Sequence, residues 1–154
     1  MIKGAAPEFE LPSLVGALET LRGLLASGPV LLAFFKTSCP TCQLTLPFLN
    51  RLHQGRAADA PRIVAISQDD AATTQNFNRR YGISLPVLLD PPGRYPVSNA
   101  FGITNVPSLF LIETDWRISQ SFTGFDRAAM EEFGARFGVS LFTPADRVPV
   151  FQPG

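Results

Sequence analysis

The chain has 154 residues, 13 of them basic and 13 acidic, for a formal net charge of zero. That length suits one domain with a proper core, and the balanced charge offers no field for nucleic acid or an anionic membrane surface. Two cysteines are too few for a disulfide framework, and no run of about 18 apolar residues marks a membrane span.

Met1 to Pro12 reads as an opening segment in which Phe9 and Leu11 alternate with Glu8 and Glu10, like a short edge strand. Leu14, Val15, Leu18, Leu21, Leu24 and Leu25 follow helical spacing, and Ser27-Gly28-Pro29 ends that helix. Val30 to Phe35 is a continuous apolar run, as a strand buried on both faces requires. A helix from about Pro40 to His53 follows, with Pro47 expected to kink it. Arg62 to Ser67 is a second buried strand, and Asp69-Asp70 opens a helix to about Tyr81-Gly82. Leu85 to Leu89 is a short strand stopped by Asp90-Pro91-Pro92-Gly93, and Val97 to Phe101 a short helix. Ser108 to Ile112 and Ile118 to Phe122 read as antiparallel partners, and Asp126 caps a last helix. Residues 1–140 form a single domain in this reading. Residues 141–154, with several prolines and no period, form an extended C-terminal tail. The order β-α-β-α-β-α-β-α-β-β-α predicts an α/β fold, one mixed sheet covered on both faces by helices.

The chemistry concentrates at Cys39-Pro40-Thr41-Cys42. Pro40 suits the first helical position, which puts Cys39 at the N-cap. Free backbone N–H groups and the helix dipole there favour negative charge on its sulfur. Cys42 falls on the same helical face, within reach of a disulfide with Cys39. Structural zinc wants four ligands, and two cysteines with His53 as the lone histidine fall short, so no metal is expected. Covalent haem needs a histidine after the second cysteine, where Gln43 stands.

This arrangement resembles the thioredoxin superfamily over roughly residues 4 to 140. Cys39-Pro40-Thr41-Cys42 at a strand-to-helix junction, Pro47 eight residues after the first cysteine, and Val106-Pro107-Ser108 opening the next strand carry the match. The opening Gly4 to Pro12, the extra β-α unit from Ile63 to Tyr81 and the Leu85 to Asp90 segment are similar to the TlpA/ResA and peroxiredoxin branch. The resemblance implies a thioredoxin-like fold with that branch's β-α insertion and N-terminal extension. It implies thiol–disulfide exchange with protein disulfides, more as a reductant than an oxidant, with no cofactor beyond a Cys39–Cys42 disulfide. An upstream thiol reductant and a monomeric state go with it.

Within that resemblance Cys39 attacks and Cys42 resolves. Pro40 stiffens the ring, and the Thr41 hydroxyl is available to donate to the Cys39 sulfur. Pro107, as a cis proline, leaves the Val106 N–H and C=O free to pair with an extended substrate. Val106 and Phe125 are candidate exposed apolar contacts for such a substrate, Lys36 a nearby charge. The sequence departs from the family at three places: Ser38 replaces the usual Trp, Ala33 the buried acid, and Thr45 the Glu of TlpA/ResA-like proteins. The last two leave Cys42 without a usual proton acceptor. The expected potential lies between about −270 and about −120 mV.

Two rivals share the pattern. A peroxiredoxin would place a Thr three residues before the cysteine and a Pro four before that, where Lys36 and Leu32 stand. A non-catalytic thioredoxin-fold interaction module would keep its cysteines as a passive, inaccessible pair. No charged-then-apolar leader opens the chain. The protein is therefore expected to be cytoplasmic if the chain is whole, and periplasmic or otherwise extracytoplasmic if a signal or anchor was removed.

Overall fold

The computed structural model describes residues 1–154. The chain begins with β1 (Glu10–Pro12), β2 (Leu18–Thr20), α1 (Leu21–Leu25) and β3 (Val30–Phe35). It continues through α2 (Pro40–Gly55), β4 (Arg62–Ser67), α3 (Ala71–Tyr81), β5 (Val87–Leu89) and α4 (Pro96–Ala100). It closes with β6 (Ser108–Ile112), β7 (Ile118–Thr123), β8 (Phe125–Asp126), α5 (Arg127–Phe137) and β9 (Phe151–Gln152). The central sheet has the order β5-β4-β3-β6-β7. β3 runs parallel to β4 and antiparallel to β6, and β6–β7 is antiparallel, so the sheet is mixed.

β3 lies at the centre and every one of its residues is buried. Successive side chains point to opposite faces, which divides the core in two. Leu31, Ala33 and Phe35 join Leu46, Leu49 and Leu52 of α2 and Met130, Phe133 and Phe137 of α5. Val30, Leu32 and Phe34 join Leu21 and Leu25 of α1, Val97 of α4, and Phe101. An apolar run with no alternation is thus what a strand sandwiched between two helical layers needs.

Local signals explain the helix starts. Asp70 Oδ1 accepts from the Thr73 N–H at 2.8 Å and Asp126 Oδ1 from the Ala129 N–H at 3.1 Å, which caps α3 and α5. α2 continues through Pro47 to Gly55.

Two expectations need correction. Leu14 to Leu25 is not one helix: β1 and β2 form an antiparallel hairpin, and only Leu21–Leu25 is helical. Val15 and Leu18, counted toward an apolar helical face, are exposed. The hairpin packs on the edge of the sheet instead, where the Leu14 N–H donates to the Val87 carbonyl at 2.9 Å. Covering an otherwise open strand edge outweighs the weak helical period of this stretch. Phe125, expected as an exposed contact near the site, is fully buried against Phe48 and Phe142.

Candidate active site

The turn between β3 and α2 is fixed by polar contacts to its backbone. The Thr37 N–H donates to Asp69 Oδ2 at 2.8 Å, and Gln43 Nε2 donates to the Thr37 carbonyl at 2.9 Å. These hold Cys39 at the N-cap of α2 in an extended conformation, with Pro40 in the first turn. The Cys39 sulfur accepts from the Cys42 N–H at 3.2 Å, so a free donor of the helix end is spent on it. Cys39 is half-buried and Cys42 fully buried.

The two sulfurs therefore differ sharply. Burial pushes the Cys42 thiol far above its ordinary range, and a hydrogen bond to Cys39 adds to this. The Asp69 carboxylate acts in the same direction by its charge. Cys42 keeps its proton at neutral pH.

Pro107 follows a cis Val106–Pro107 peptide bond. The Cys39 thiol donates to the Val106 carbonyl at 3.4 Å, so the loop before β6 lies directly beside the sulfur. Cys39, Cys42, Pro40, Thr41, Val106 and Pro107 are thus brought together from two stretches far apart in the chain. A pocket of about 470 Å³ with both polar and apolar walls opens next to Cys39, bordered by Lys36, Gln68, Tyr95, Asn105, Val106 and Gly154. Behind it, the buried Asp90 carboxylate accepts from the Val97 and Ser98 N–H groups and the Ser98 hydroxyl, and Gln68 Nε2 donates to Ser98 Oγ at 2.9 Å. Lys36 lies over the Tyr95 ring, its ammonium 5.0 Å from the centroid.

One site expectation changes. The Thr41 hydroxyl donates to the Pro153 carbonyl at 2.6 Å and accepts from Gln152 Nε2 at 2.8 Å, so its proton is directed away from Cys39. The residues responsible come from the segment read as an aperiodic tail. Phe151–Gln152 forms β9, paired with β8, and the chain then crosses toward the cis-proline loop. Nothing local marks this role, because Gln152, Pro153 and Gly154 resemble any turn-rich terminus. Thr45 gives its hydroxyl to the Thr41 carbonyl at 2.7 Å, and Ala33 is buried with no polar group. Among the neighbours of Cys42 the one carboxylate contributing to its titration is Asp69.

A central mixed sheet, a helix opened by a Cys-x-x-Cys and a facing cis proline define a thioredoxin-fold, dithiol protein of the thiol–disulfide oxidoreductase class. Residues 2–121 match the model of the AhpC/TSA family, and the chain belongs to that family, in its TlpA/ResA-like branch. It is 32% identical over 130 residues to the thiol-disulfide oxidoreductase ResA of Halalkalibacterium halodurans, covering 83% of this chain and 72% of that protein. Among solved structures, a Chlorobium tepidum protein assigned as a thiol:disulfide interchange protein DsbE superposes with a TM-score of 0.76. That match has 25% identity and covers 92% of this chain and 99% of the other. The peroxidoxin BcpB of Mycobacterium tuberculosis shares the fold, with a TM-score of 0.74 at 24% identity over 90% of this chain and 97% of its own. The fold alone does not separate the two chemistries. The positions do: Leu32 is buried within β3 and Lys36 carries no hydroxyl, so the Pro and Thr of a peroxide pocket have no counterparts here.

Proposed function

We propose that the protein reduces disulfides of polypeptide substrates by dithiol exchange, with Cys39 as nucleophile and Cys42 as resolving thiol. The half-exposed Cys39 sulfur, held at a helix N-cap above a buried partner and beside the Val106 backbone, carries this reading.

Cys39, as thiolate, attacks one sulfur of the substrate disulfide. That S–S bond breaks, a mixed disulfide with Cys39 forms, and the other substrate sulfur leaves with the electron pair and takes up a proton. Cys42 then loses its proton and attacks the Cys39 sulfur. The mixed disulfide breaks, the Cys39–Cys42 disulfide forms, and the second substrate sulfur leaves and is protonated. The substrate gains two electrons and two protons, and the protein loses the same. An upstream thiol reductant returns the disulfide to the dithiol.

Each placement supports a role. The Cys42 N–H stabilises charge as it develops on Cys39. A protonated Cys42 cannot compete as a nucleophile until the mixed disulfide has formed. Val106, next to the sulfur, offers backbone groups for strand addition by an extended substrate.

The deciding measurement is the midpoint potential of the Cys39–Cys42 couple, by equilibration in glutathione buffers and thiol trapping. A value near about −270 mV fits a reductase, and one well above about −200 mV would make the protein an oxidase or isomerase. A pair with no measurable couple would leave only the passive interaction module.

A further inference from the structure

The C-terminal segment does more than cover the core. From β9 it passes over Gly124, where a Cβ would stand 2.6 Å from the Gln152 carbonyl oxygen, so only glycine admits the chain there. It next binds Thr41 through Gln152 and Pro153, as described above. It ends against the cis-proline loop: a Cβ on Gly154 would lie 2.1 Å from the Val106 oxygen, and Asn105 Nδ2 donates to the Gly154 oxygen at 3.4 Å. The segment thus spans the cleft above Cys39, from the tip of α2 on one side to the Val106 backbone on the other.

We propose that Phe151–Gly154 is a built-in strap that fills the backbone position an extended substrate would take against Val106, and so sets substrate preference. This rests on the dithiol-exchange reading of the site. With the strap docked, Cys39 is approached through the open pocket walled by Lys36, Gln68, Tyr95 and Asn105, of which Gly154 itself forms one border. A small disulfide enters there alongside the docked Gly154, whereas a polypeptide disulfide must displace the strap before pairing with Val106. Two hydrogen bonds at Thr41 and a longer one from Asn105 keep such a strap docked in roughly nine molecules of ten.

The test compares three pre-reduced proteins: the full chain, a chain lacking residues 151–154, and Gly154→Ala. The single substitution keeps the β8–β9 pairing and only forces the last residue off Val106, so it guards against a folding defect in the truncation. Each is mixed with excess insulin or excess glutathione disulfide, and formation of the Cys39–Cys42 disulfide is followed by thiol trapping. Both variants should react about tenfold faster with insulin, equivalent to ~1.4 kcal/mol, and within about twofold of the full chain with glutathione disulfide. An unchanged or slower insulin reaction in both variants would overturn the strap. So would an equal acceleration with both disulfides, which would mean the segment acts on sulfur reactivity rather than access. Failure of every protein, the full chain included, to form the disulfide with either oxidant would instead remove the dithiol-exchange reading itself.

Discussion

Two regions of α2, one turn apart, carry the same residue type and opposite physics. At the tip, Cys39 is half-buried, borders an open pocket and receives the Cys42 N–H. On the inward face, Cys42 lies in the core cluster with Leu46 and Leu49, and burial holds its proton on. The contrast teaches that a three-residue spacing on a helix N-terminus suffices to give two chemically identical groups opposite surroundings. In the proposed exchange the more exposed sulfur, held at the helix N-cap, makes the first attack. In the same proposal the buried sulfur acts second, because burial makes it costly to ionise.

The largest effect should come from removing the exposed member. Cys39→Ser is expected to abolish turnover with any disulfide, by at least about a thousandfold, since an unactivated hydroxyl replaces the nucleophile. Insulin reduction followed by turbidity reads this directly, and residual turnover above that level would assign first attack to Cys42. Cys42→Ser should also stop turnover yet leave the first attack intact. Mass spectrometry should then find a stable adduct on Cys39, whereas a variant that forms none would break the division of labour.

A smaller effect concerns stability. Because burial raises the Cys42 thiol above its ordinary 9.0, the folded chain keeps a proton that the unfolded chain releases. The stabilisation is complete below that pH and is lost as the pH rises beyond it, at up to about 1.4 kcal/mol per pH unit. Urea unfolding of the reduced protein across this range should show a steeper decline than Cys42→Ala, and parallel curves would contradict the assignment. The smallest effect sharpens the comparison at Asp69. Its charge opposes ionisation of Cys42, so Asp69→Asn, which retains an acceptor for the Thr37 N–H, should speed decay of the mixed disulfide. A gain of about threefold corresponds to half a pKa unit. A slower decay would make Asp69 the proton acceptor that Ala33 and Thr45 do not provide.

The two ends of the chain show where reading by pattern stops. Both fold back as short ribbons, and both were obscure for the same reason. The Leu14 to Leu25 stretch has a passable helical period, but β1 and β2 answer to the open edge at Val87 and Leu88, far along the chain. Residues 141–154 have no period at all. Arg51 nevertheless ties the segment down through Asp146, at 2.8 Å, and the Leu141 carbonyl, at 3.0 Å, before Gln152 reaches Thr41. The Arg51 guanidinium holds the Asp146 carboxyl down at about 2.

What the sequence by itself determined is whatever local chemistry dictates. The apolar runs Val30 to Phe35 and Ile63 to Ile66 required strands buried on both faces, and both are central in the sheet. Pro40 after Cys39 required a helix start, and that alone put a sulfur at an N-cap. Tertiary structure decided the rest. It set Val106 against Cys39 across 67 positions of chain, buried Phe125, turned the Thr41 hydroxyl to Pro153 and laid Gly154 on the cis-proline loop. Those contacts depend on which distant backbone happens to meet each group, and a hydrogen-bonding residue carries no local mark of the partner it will find.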